Sequence, residues 1–173
     1  MNEANFPGTT AMIRPTGPED TPKLLEIARG TGVFKTAEIV ALEEVLDDYH
    51  ASNRDAGHRT VTLERDGATV GFAYYAPAAM TDRTWYVYWI AVDKRAQAGG
   101  LGGALMRHIE DEVRAASGRL LLIETSSLAH YEPTRRFYLK HGYEVAAALA
   151  DYYADGDDMV VFRKRFDMEV AAS

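Results

Sequence analysis

A cluster of glycines lies where an apolar stretch of the sequence gives way to a helical pattern. Residues 97–103 read QAGGLGG, and apolar residues recur at helical spacing from Leu101 onward. Glycine lets a backbone approach a ligand closely, and the first N–H groups of a helix, at its positive end, have no partner within the helix. A pyrophosphate would fit such a turn. Taken alone, the cluster is equally compatible with a plain tight turn.

Two well-known phosphate loops differ from this segment. A Walker loop needs Lys and then Ser or Thr after its last glycine, whereas Gly103 is followed by Ala104 and Leu105. A dinucleotide fingerprint needs spaced glycines in a βαβ unit and an acidic residue after the next strand. Glu124 lies at roughly that position but inside an apolar stretch. The Walker interpretation therefore fails, and the dinucleotide interpretation is the weaker alternative.

The glycine cluster resembles the acetyl-CoA loop of the GNAT N-acetyltransferase superfamily. The pattern of that loop is Arg or Gln, two residues, Gly, one residue, and Gly or Ala. Gln97, Gly100 and Gly102 occupy these positions. The preceding residues, 89–93, resemble the family's fourth strand, where a β-bulge leaves backbone groups free to bind the pantetheine arm.

A second stretch, residues 131–143 (YEPTRRFYLKHGY), is similar to the family's helical motif Asn-x-x-Ala-x-x-Phe-Tyr-x-x-x-Gly-Phe. Phe137, Tyr138 and Gly142 match it, whereas Tyr131 and Thr134 stand where Asn and Ala are usual. The resemblance spans about residues 11–165, and residues 151–158 resemble a bacterial branch whose substrates are poorly defined. It implies acetyl-CoA as the cosubstrate, and no metal. The residues that it implies for cofactor binding are Ile90, Ala91, Val92, Gln97, Ala98, Gly99, Gly100, Leu101, Gly102, Gly103, Thr134 and Phe137.

Attack of an amine on a thioester requires a base that neutralises the amine and an acid that protonates the departing thiolate. The resemblance places the hydroxyl of Tyr138 beside the sulfur, as the acid. Many relatives carry a base on the strand at Thr84–Val92, but this strand has no Asp or Glu here. Glu124 is our candidate base, acting directly or through water, although a structural carboxylate is as compatible. Asp151 is the other contender.

Two groups of aromatic residues can contribute to an acceptor site. Tyr152 and Tyr153, with Asp151 and Asp155 nearby, can receive a cationic amine by charge attraction and cation–π contact. A surface loop is equally compatible. The central strand is apolar on both faces, so we expect it to lie buried in the interior of the sheet. It contributes a second aromatic group, which we expect mostly to fill core, with any remainder lining an acceptor pocket. Its members are Trp85, Tyr86, Tyr88 and Trp89.

The elements that must position these groups follow from the periodicity of apolar residues. We predict strands at residues 11–14, 60–64, 69–75, 84–92, 120–125, 143–149 and 159–165. We predict helices that begin near Thr21, Thr36, Leu101 and Pro133. Asp66-Gly67 predicts a hairpin, Gly142 a left-handed helix cap, and residues 155–158 a loop. The fold class is α+β, a single mixed, mostly antiparallel twisted sheet flanked by helices, as in the GNAT fold.

Composition limits the class of protein. The 173 residues suit one domain, predicted at residues 11–166, with 1–10 and 167–173 as flexible termini. The 26 acidic against 19 basic residues give a net charge of -7, which argues against nucleic acid or an anionic membrane as a partner. The absence of cysteine and of a long apolar run leads us to expect a cytoplasmic protein.

The predicted function is transfer of the acetyl group of acetyl-CoA to a primary amine of a small molecule or peptide, by direct attack in a ternary complex. An alternative is a non-catalytic acyl-CoA-binding sensor or regulatory subunit on the same fold. The third hypothesis, a remote one, is a nucleotide-dependent oxidoreductase or regulatory module. The sequence leaves the amine unnamed, and it leaves open whether the chain forms a homodimer.

Overall fold

Strands and helices form close to where the apolar periodicity predicts them, with the differences described below. The computed structural model describes residues 2–6 and 9–166, with side chains from Thr10 onward. Contacts group the chain into two compact units. One comprises the residues up to Ala76 together with Tyr88–Ile109, and the other comprises Pro77–Val87 and the residues from Glu110 onward.

The strands of the first unit form an antiparallel meander. They are β1 (Asn2–Phe6), β2 (Thr9–Pro15), β3 (Arg59–Arg65) and β4 (Ala68–Pro77), followed by the second half of β5 (Thr84–Val92). β1 pairs with β2, β2 with β3, and β3 with β4. Asp66 and Gly67 join β3 to β4 with φ of 53° and 78°, as a tight hairpin with positive φ at both central residues requires. The predicted hairpin is confirmed, whereas β1 was not predicted.

Two helices pack on the first unit's strands. They are α1 (Thr21–Gly30) and α2 (Thr36–Asp48), and a π-helical turn, Tyr49–Asn53, follows α2. Leu24, Leu42 and Leu46 of these helices are fully buried with Phe72 of β4. The first helix was predicted to begin near Thr21, and Thr21 is its first residue, while the backbone of Asp20 is already helical.

The second unit contains the first half of β5 and three further strands. They are β6 (Leu120–Ser126), β7 (Glu144–Ala154) and β8 (Asp157–Arg165). β5 and β6 are parallel, whereas β6–β8 and β8–β7 are antiparallel, so the order in this unit is β5-β6-β8-β7. The helix α3 (Leu101–Ala115) divides between the units after Ile109. The helix α4 (Glu132–Lys140) ends before Gly142, whose φ of 85° confirms the predicted cap.

Two sequence predictions were wrong in detail. Residues 155–158 were predicted as a loop, but β7 continues to Ala154 and β8 begins at Asp157, so the turn is only two residues long. An irregularity in the β7–β8 pairing after Leu149 accommodates the extra residues of β7. The strand β5 was predicted to be buried on both faces, but Tyr88 is 52% exposed.

The fold class is confirmed: parallel and antiparallel strand pairs, mostly antiparallel, are flanked by helices. Of the predicted termini, residues 1, 7, 8 and 167–173 lie outside the described residues. Within the described part, no helix has both the length and the apolar character needed to cross a membrane.

Candidate functional site

The connection between β5 and α3 holds most of the predicted cofactor residues. A short 3-10 turn, Lys94–Gly99, follows β5, and Gly100 then takes the left-handed conformation with a φ of 71°. The helix α3 begins at Leu101, whose buried side chain anchors its first turn, whereas residues 97–100 are exposed. The first N–H groups of α3 lack partners within the helix, so the turn offers backbone donors at its exposed side. The prediction that a helix begins inside the glycine cluster is confirmed.

The side chain of Gln97 points back to the end of β5. Its Nε2 donates a hydrogen bond to the carbonyl oxygen of Val92 over 3.1 Å. Ala91 and Val92 are buried and Ile90 is half-buried, so the last residues of β5 are held by packing. Gln97 therefore ties the turn to the strand that the resemblance assigns to pantetheine binding.

A guanidinium that the sequence did not single out lies against this turn. A Cβ added to Gly99 would lie 3.2 Å from Nη1 of Arg65, the last residue of β3. Within the described part of the chain, the Arg65 side chain makes no hydrogen bond or ion pair. A cation near the positive end of α3 is electrostatically unfavourable unless an anion lies close to both. No local pattern marks Arg65, because it is far from Gly99 in sequence.

The second unit contains the predicted acid. Tyr138 lies in α4 and is 4% exposed. Its ring centre lies 5.4 Å from that of Phe162 and 6.1 Å from that of Tyr143. Among residues 2–6 and 9–166, no group hydrogen-bonds to the Tyr138 hydroxyl. Burial, and next the neighbouring Tyr131, raise the pKa of Tyr138 above its usual value. The hydroxyl therefore keeps its proton at neutral pH. Thr134 and Phe137, on the same helix, are half-buried.

The side chains of Arg135 and Ser126, which the sequence analysis did not single out, fix the start of α4 by hydrogen bonds. Nη1 of Arg135 donates hydrogen bonds to the carbonyl oxygens of Ser126 (2.7 Å) and Leu128 (2.9 Å). The Ser126 hydroxyl donates to the buried carboxylate of Asp157, and it accepts from the N–H of Leu128 over 3.0 Å. These bonds tie α4 to the end of β6 and to the start of β8. The orientation of α4, and of Tyr138 on it, follows from them.

The two candidate bases differ in their surroundings. Glu124 is exposed on β6, in register with Val161 of β8, and within the described residues its carboxylate makes no hydrogen bond or ion pair. Asp151 instead accepts a hydrogen bond from the N–H of Gly156 over 2.7 Å, while its own N–H donates to Asp158 over 2.9 Å. Its φ is 53°. Asp151 therefore stabilises the irregular end of β7, whereas Glu124 is open to a ligand.

The paired tyrosines of β7 are exposed. The rings of Tyr152 and Tyr153 meet edge to face with their centres 5.0 Å apart. They belong to the strand rather than to a loop, next to Asp151 and the exposed Asp155. Their position agrees with a surface aromatic pair and leaves their role in amine binding a prediction.

The aromatic residues of β5 divide between core and surface. Trp85 is buried. The ring centres of Trp89 and Phe34 are 5.3 Å apart. The ring centre of the exposed Tyr88 lies 6.3 Å from that of the buried Tyr74. The Tyr74 hydroxyl shares a hydrogen bond of 2.6 Å with Nδ1 of His58. Burial lowers the pKa of His58, so this imidazole is neutral at pH 7. Tyr88 is thus the exposed end of an otherwise packed aromatic group.

The predicted residues fall into two groups by unit. The first unit brings together residues 90–92 and 97–103, with Arg65 beside them. The second unit holds Glu124, Thr134, Phe137 and Tyr138. Among the described residues, no cluster of three or more His, Asp or Glu side chains could hold a metal ion.

Comparisons with known proteins show the family to which the chain belongs. A model of the acetyltransferase (GNAT) domain matches residues 56–145, which include both sequence motifs. A solved structure from Desulfovibrio desulfuricans, described as a GNAT-family acetyltransferase, is 34% identical with a TM-score of 0.85, covering 90% of this chain and 98% of that one.

More distant relatives support the same fold. An uncharacterized N-acetyltransferase of Methanocaldococcus jannaschii is 29% identical over 59% of this chain, and the chain spans 43% to 63% of the length of the curated relatives it matches. An aminoglycoside 6'-N-acetyltransferase solved with coenzyme A has a TM-score of 0.73, covering 91% of this chain and 98% of that one. At 18% identity, that likeness shows the fold alone. The family model covers more than half of the chain and the Desulfovibrio protein nearly all of it, so the chain belongs to the GNAT family of acetyl-CoA-dependent acetyltransferases.

Proposed function

We infer that this protein transfers the acetyl group of acetyl-CoA to a primary amine of a small molecule or peptide, by direct attack while both substrates are bound. The observation that carries this proposal is the buried hydroxyl of Tyr138, which hydrogen-bonds to no residue of the described chain. A hydroxyl in that state can give its proton to a leaving group. The resemblance to the family implies a position beside the sulfur of the thioester for this residue.

The turn at residues 97–103 is the proposed pyrophosphate site. The exposed residues 97–100, the left-handed Gly100 among them, and the free N–H groups at the start of α3 suit an anion. Arg65, beside Gly99, supplies a cation within reach of the same anion. Binding then depends on backbone donors and on one guanidinium, and Gln97 acts by holding the turn against β5. Residues 90–92, Thr134 and Phe137 complete the proposed cofactor contacts.

When bound, acetyl-CoA supplies an activated acetyl group as a thioester. The amine nitrogen forms a bond to the acetyl carbon as the carbon–sulfur bond breaks, and the product is an amide. Tyr138 gives its proton to the departing sulfur. Glu124 takes the proton that the amine loses, directly or through one water. Its exposed, unpaired carboxylate favours it over Asp151, which is occupied by Gly156.

The surface charge favours a basic acceptor, and the absence of cysteine suits a reaction in the cytoplasm. The net charge of -7 disfavours nucleic acids and anionic membranes and favours cationic small molecules or peptides. The proposed reaction uses no metal. Tyr152 and Tyr153 offer exposed aromatic faces to such an amine.

The replacement Tyr138→Phe tests the proposal. We expect turnover to fall by about 10²-fold or more, because general acid catalysis contributes at least that much, while the affinity for acetyl-CoA stays the same. Thiol release measures turnover across a broad amine panel, and calorimetry measures binding. Leu139→Ala, at the neighbouring exposed position of α4, is the matched control and should leave both unchanged. A wild-type protein that binds acetyl-CoA but acetylates no amine in the panel would contradict the proposal and support an acyl-CoA sensor.

A further inference from the structure

Three residues with hydroxyl groups lie on one face of α4. Tyr131 immediately precedes the helix with a backbone that is already helical (φ -89°, ψ -2°), and Thr134 and Tyr138 follow within α4. Their spacing of three and then four residues puts the three side chains on one face, since a helix has 3.6 residues per turn. Helical side chains also incline toward the N-terminus, so Tyr138 leans toward the end of α4 at which the other two lie. We call these three residues the hydroxyl face.

The hydroxyls of Thr134 and Tyr138 have no hydrogen-bond partner among the described residues. Tyr138 is 4% exposed, and Thr134 is half-buried. A threonine in a helix commonly bonds to the carbonyl oxygen three or four residues earlier, but Thr134 does not. Buried hydroxyls normally find a partner, which can be a bound water. The hydroxyl face therefore holds two neighbouring groups that are able to bind one.

Tyr131 brings its own hydroxyl close enough to act on Tyr138. It is 9% exposed, and after burial it is the second cause that raises the pKa of Tyr138. A phenolate that forms at Tyr138, once its proton has gone to a leaving group, is therefore high in energy. It must recover a proton before the next turnover, and the burial of the ring restricts direct contact with bulk water.

Both neighbours of Tyr138 on this face depart from the family motif. Tyr131 stands where Asn is usual, and Thr134 where Ala is usual. Alanine has no hydroxyl, so contact with the cofactor at this position of the motif does not depend on one. The hydroxyl that Thr134 adds beside Tyr138 is thus available for a different role.

We propose that the Thr134 hydroxyl returns a proton to Tyr138 after each turnover, through one water held by the hydroxyl face. This inference rests on the proposed role of Tyr138 as the acid. The water gives a proton to the Tyr138 phenolate and takes one from Thr134, which takes one from bulk water at its exposed side. The proton that Glu124 took from the amine returns to bulk water, so the exchange balances. Three hydroxyls supply the two to four polar partners that a bound water needs.

The replacement Thr134→Ala tests the proposal, because it installs the residue that is usual in the family. Stopped-flow measurement of thiol release, with an amine that the panel identifies, separates the first turnover from the steady state. We expect the first turnover to stay within about twofold of wild type, because Tyr138 starts protonated, and the steady-state rate to fall by about tenfold, a part of what general acid catalysis contributes. Thr134→Ser also loses the methyl group but keeps the hydroxyl, so it should restore the steady-state rate.

Two controls separate the relay from other roles of Thr134. Thr36→Ala removes a threonine side chain from the first turn of α2 and should change neither rate. Calorimetry should give Thr134→Ala the wild-type affinity for acetyl-CoA. Equal falls in both rates, a Ser variant as slow as the Ala variant, weaker binding at an unchanged steady-state rate, or no change at all would each overturn the proposal.

The variant Tyr138→Phe distinguishes a failure of this inference from a failure of the proposed function. If it slows the first turnover while Thr134→Ala changes neither rate, Tyr138 is the acid and only the relay is wrong. If it leaves the first turnover unchanged, the proposed function loses its acid and the relay is wrong as well. Added to Tyr138→Phe, Thr134→Ala should have no further effect, because the relay acts only through the Tyr138 hydroxyl.

Discussion

The phenolic hydroxyl of Tyr143 donates a hydrogen bond to Oε1 of Glu110 over 3.1 Å, and both residues are buried. The same carboxylate oxygen accepts from Nζ of Lys164 over 2.9 Å. Nζ of Lys164 also donates to the carbonyl oxygen of His141, the residue that follows α4. Burial, and then the negative charge of Glu110, raise the pKa of Tyr143 above its usual range. This polar cluster joins α3, β8 and the end of the helix that carries Tyr138.

We expect Tyr143→Phe to lower the free energy of unfolding by about 1.5–3 kcal/mol, because it removes a buried hydrogen bond to a charged acceptor. Urea denaturation at neutral pH measures this loss. Tyr152→Phe deletes the same hydroxyl from an exposed ring and should change stability by no more than about 0.5 kcal/mol. Equal losses in the two variants would show that the Tyr143–Glu110 bond contributes nothing specific.

We expect Asp20 to make the free energy of unfolding depend on pH in the acidic range. Arg14 donates to both its carboxylate oxygens over 2.7 and 2.8 Å and holds the pKa of Asp20 below its usual value. A carboxyl whose pKa is lower in the folded than in the unfolded state stabilises the fold at pH values above its unfolded pKa. This stabilisation is lost as the pH falls through its pKa in the folded state. We therefore expect Asp20→Asn to be less stable than wild type at about pH 7, with the difference shrinking below about pH 4. Urea midpoints across this range measure it, and a difference independent of pH would contradict the prediction.

The glycine turn should tolerate an added side chain less well than it tolerates loss of Gln97. At a φ of 71°, a Cβ on Gly100 costs about 1–2 kcal/mol. Any shift of the turn that relieves this strain also moves the proposed anion donors. We expect Gly100→Val and Gly102→Val to weaken acetyl-CoA binding by at least about tenfold. Gln97→Ala loses one partly exposed hydrogen bond and should weaken it by less than about tenfold. Calorimetry measures all three, and the reverse order of effects would refute the backbone site.

The pH dependence of turnover tests whether Glu124 or Asp151 is the general base. We expect Glu124→Gln to lower kcat by about 10²-fold and to remove the low-pH limb of the kcat/KM profile, because that limb reports the base. Asp151→Asn keeps an acceptor for the N–H of Gly156 and suits the left-handed backbone, so its profile should match the wild type. A lost limb in the Asp151 variant, with an unchanged Glu124 variant, would reassign the base.

Local features of the sequence were sufficient for most of the fold. Asp66-Gly67 predicts its hairpin because both residues must adopt positive φ, and Gly142 ends α4 for the same reason. The glycine turn and α3 follow from adjacent residues as well. The short strand β1 and the length of β7 were missed, since alanine-rich and acidic stretches carry weak strand signals.

The sequence by itself determined the family, the glycine turn and the helix that carries Tyr138, because these depend on the order of nearby residues. Only the tertiary structure decided which partners the side chains find. Arg65 lies beside Gly99, the buried Asp157 bonds to Ser126, and Asp151 is occupied by Gly156 in the turn after its strand. The first two contacts join residues far apart in sequence, and no local preference encodes them. They arise because strand pairing and helix packing bring those backbones together, after which each buried polar group must find a partner.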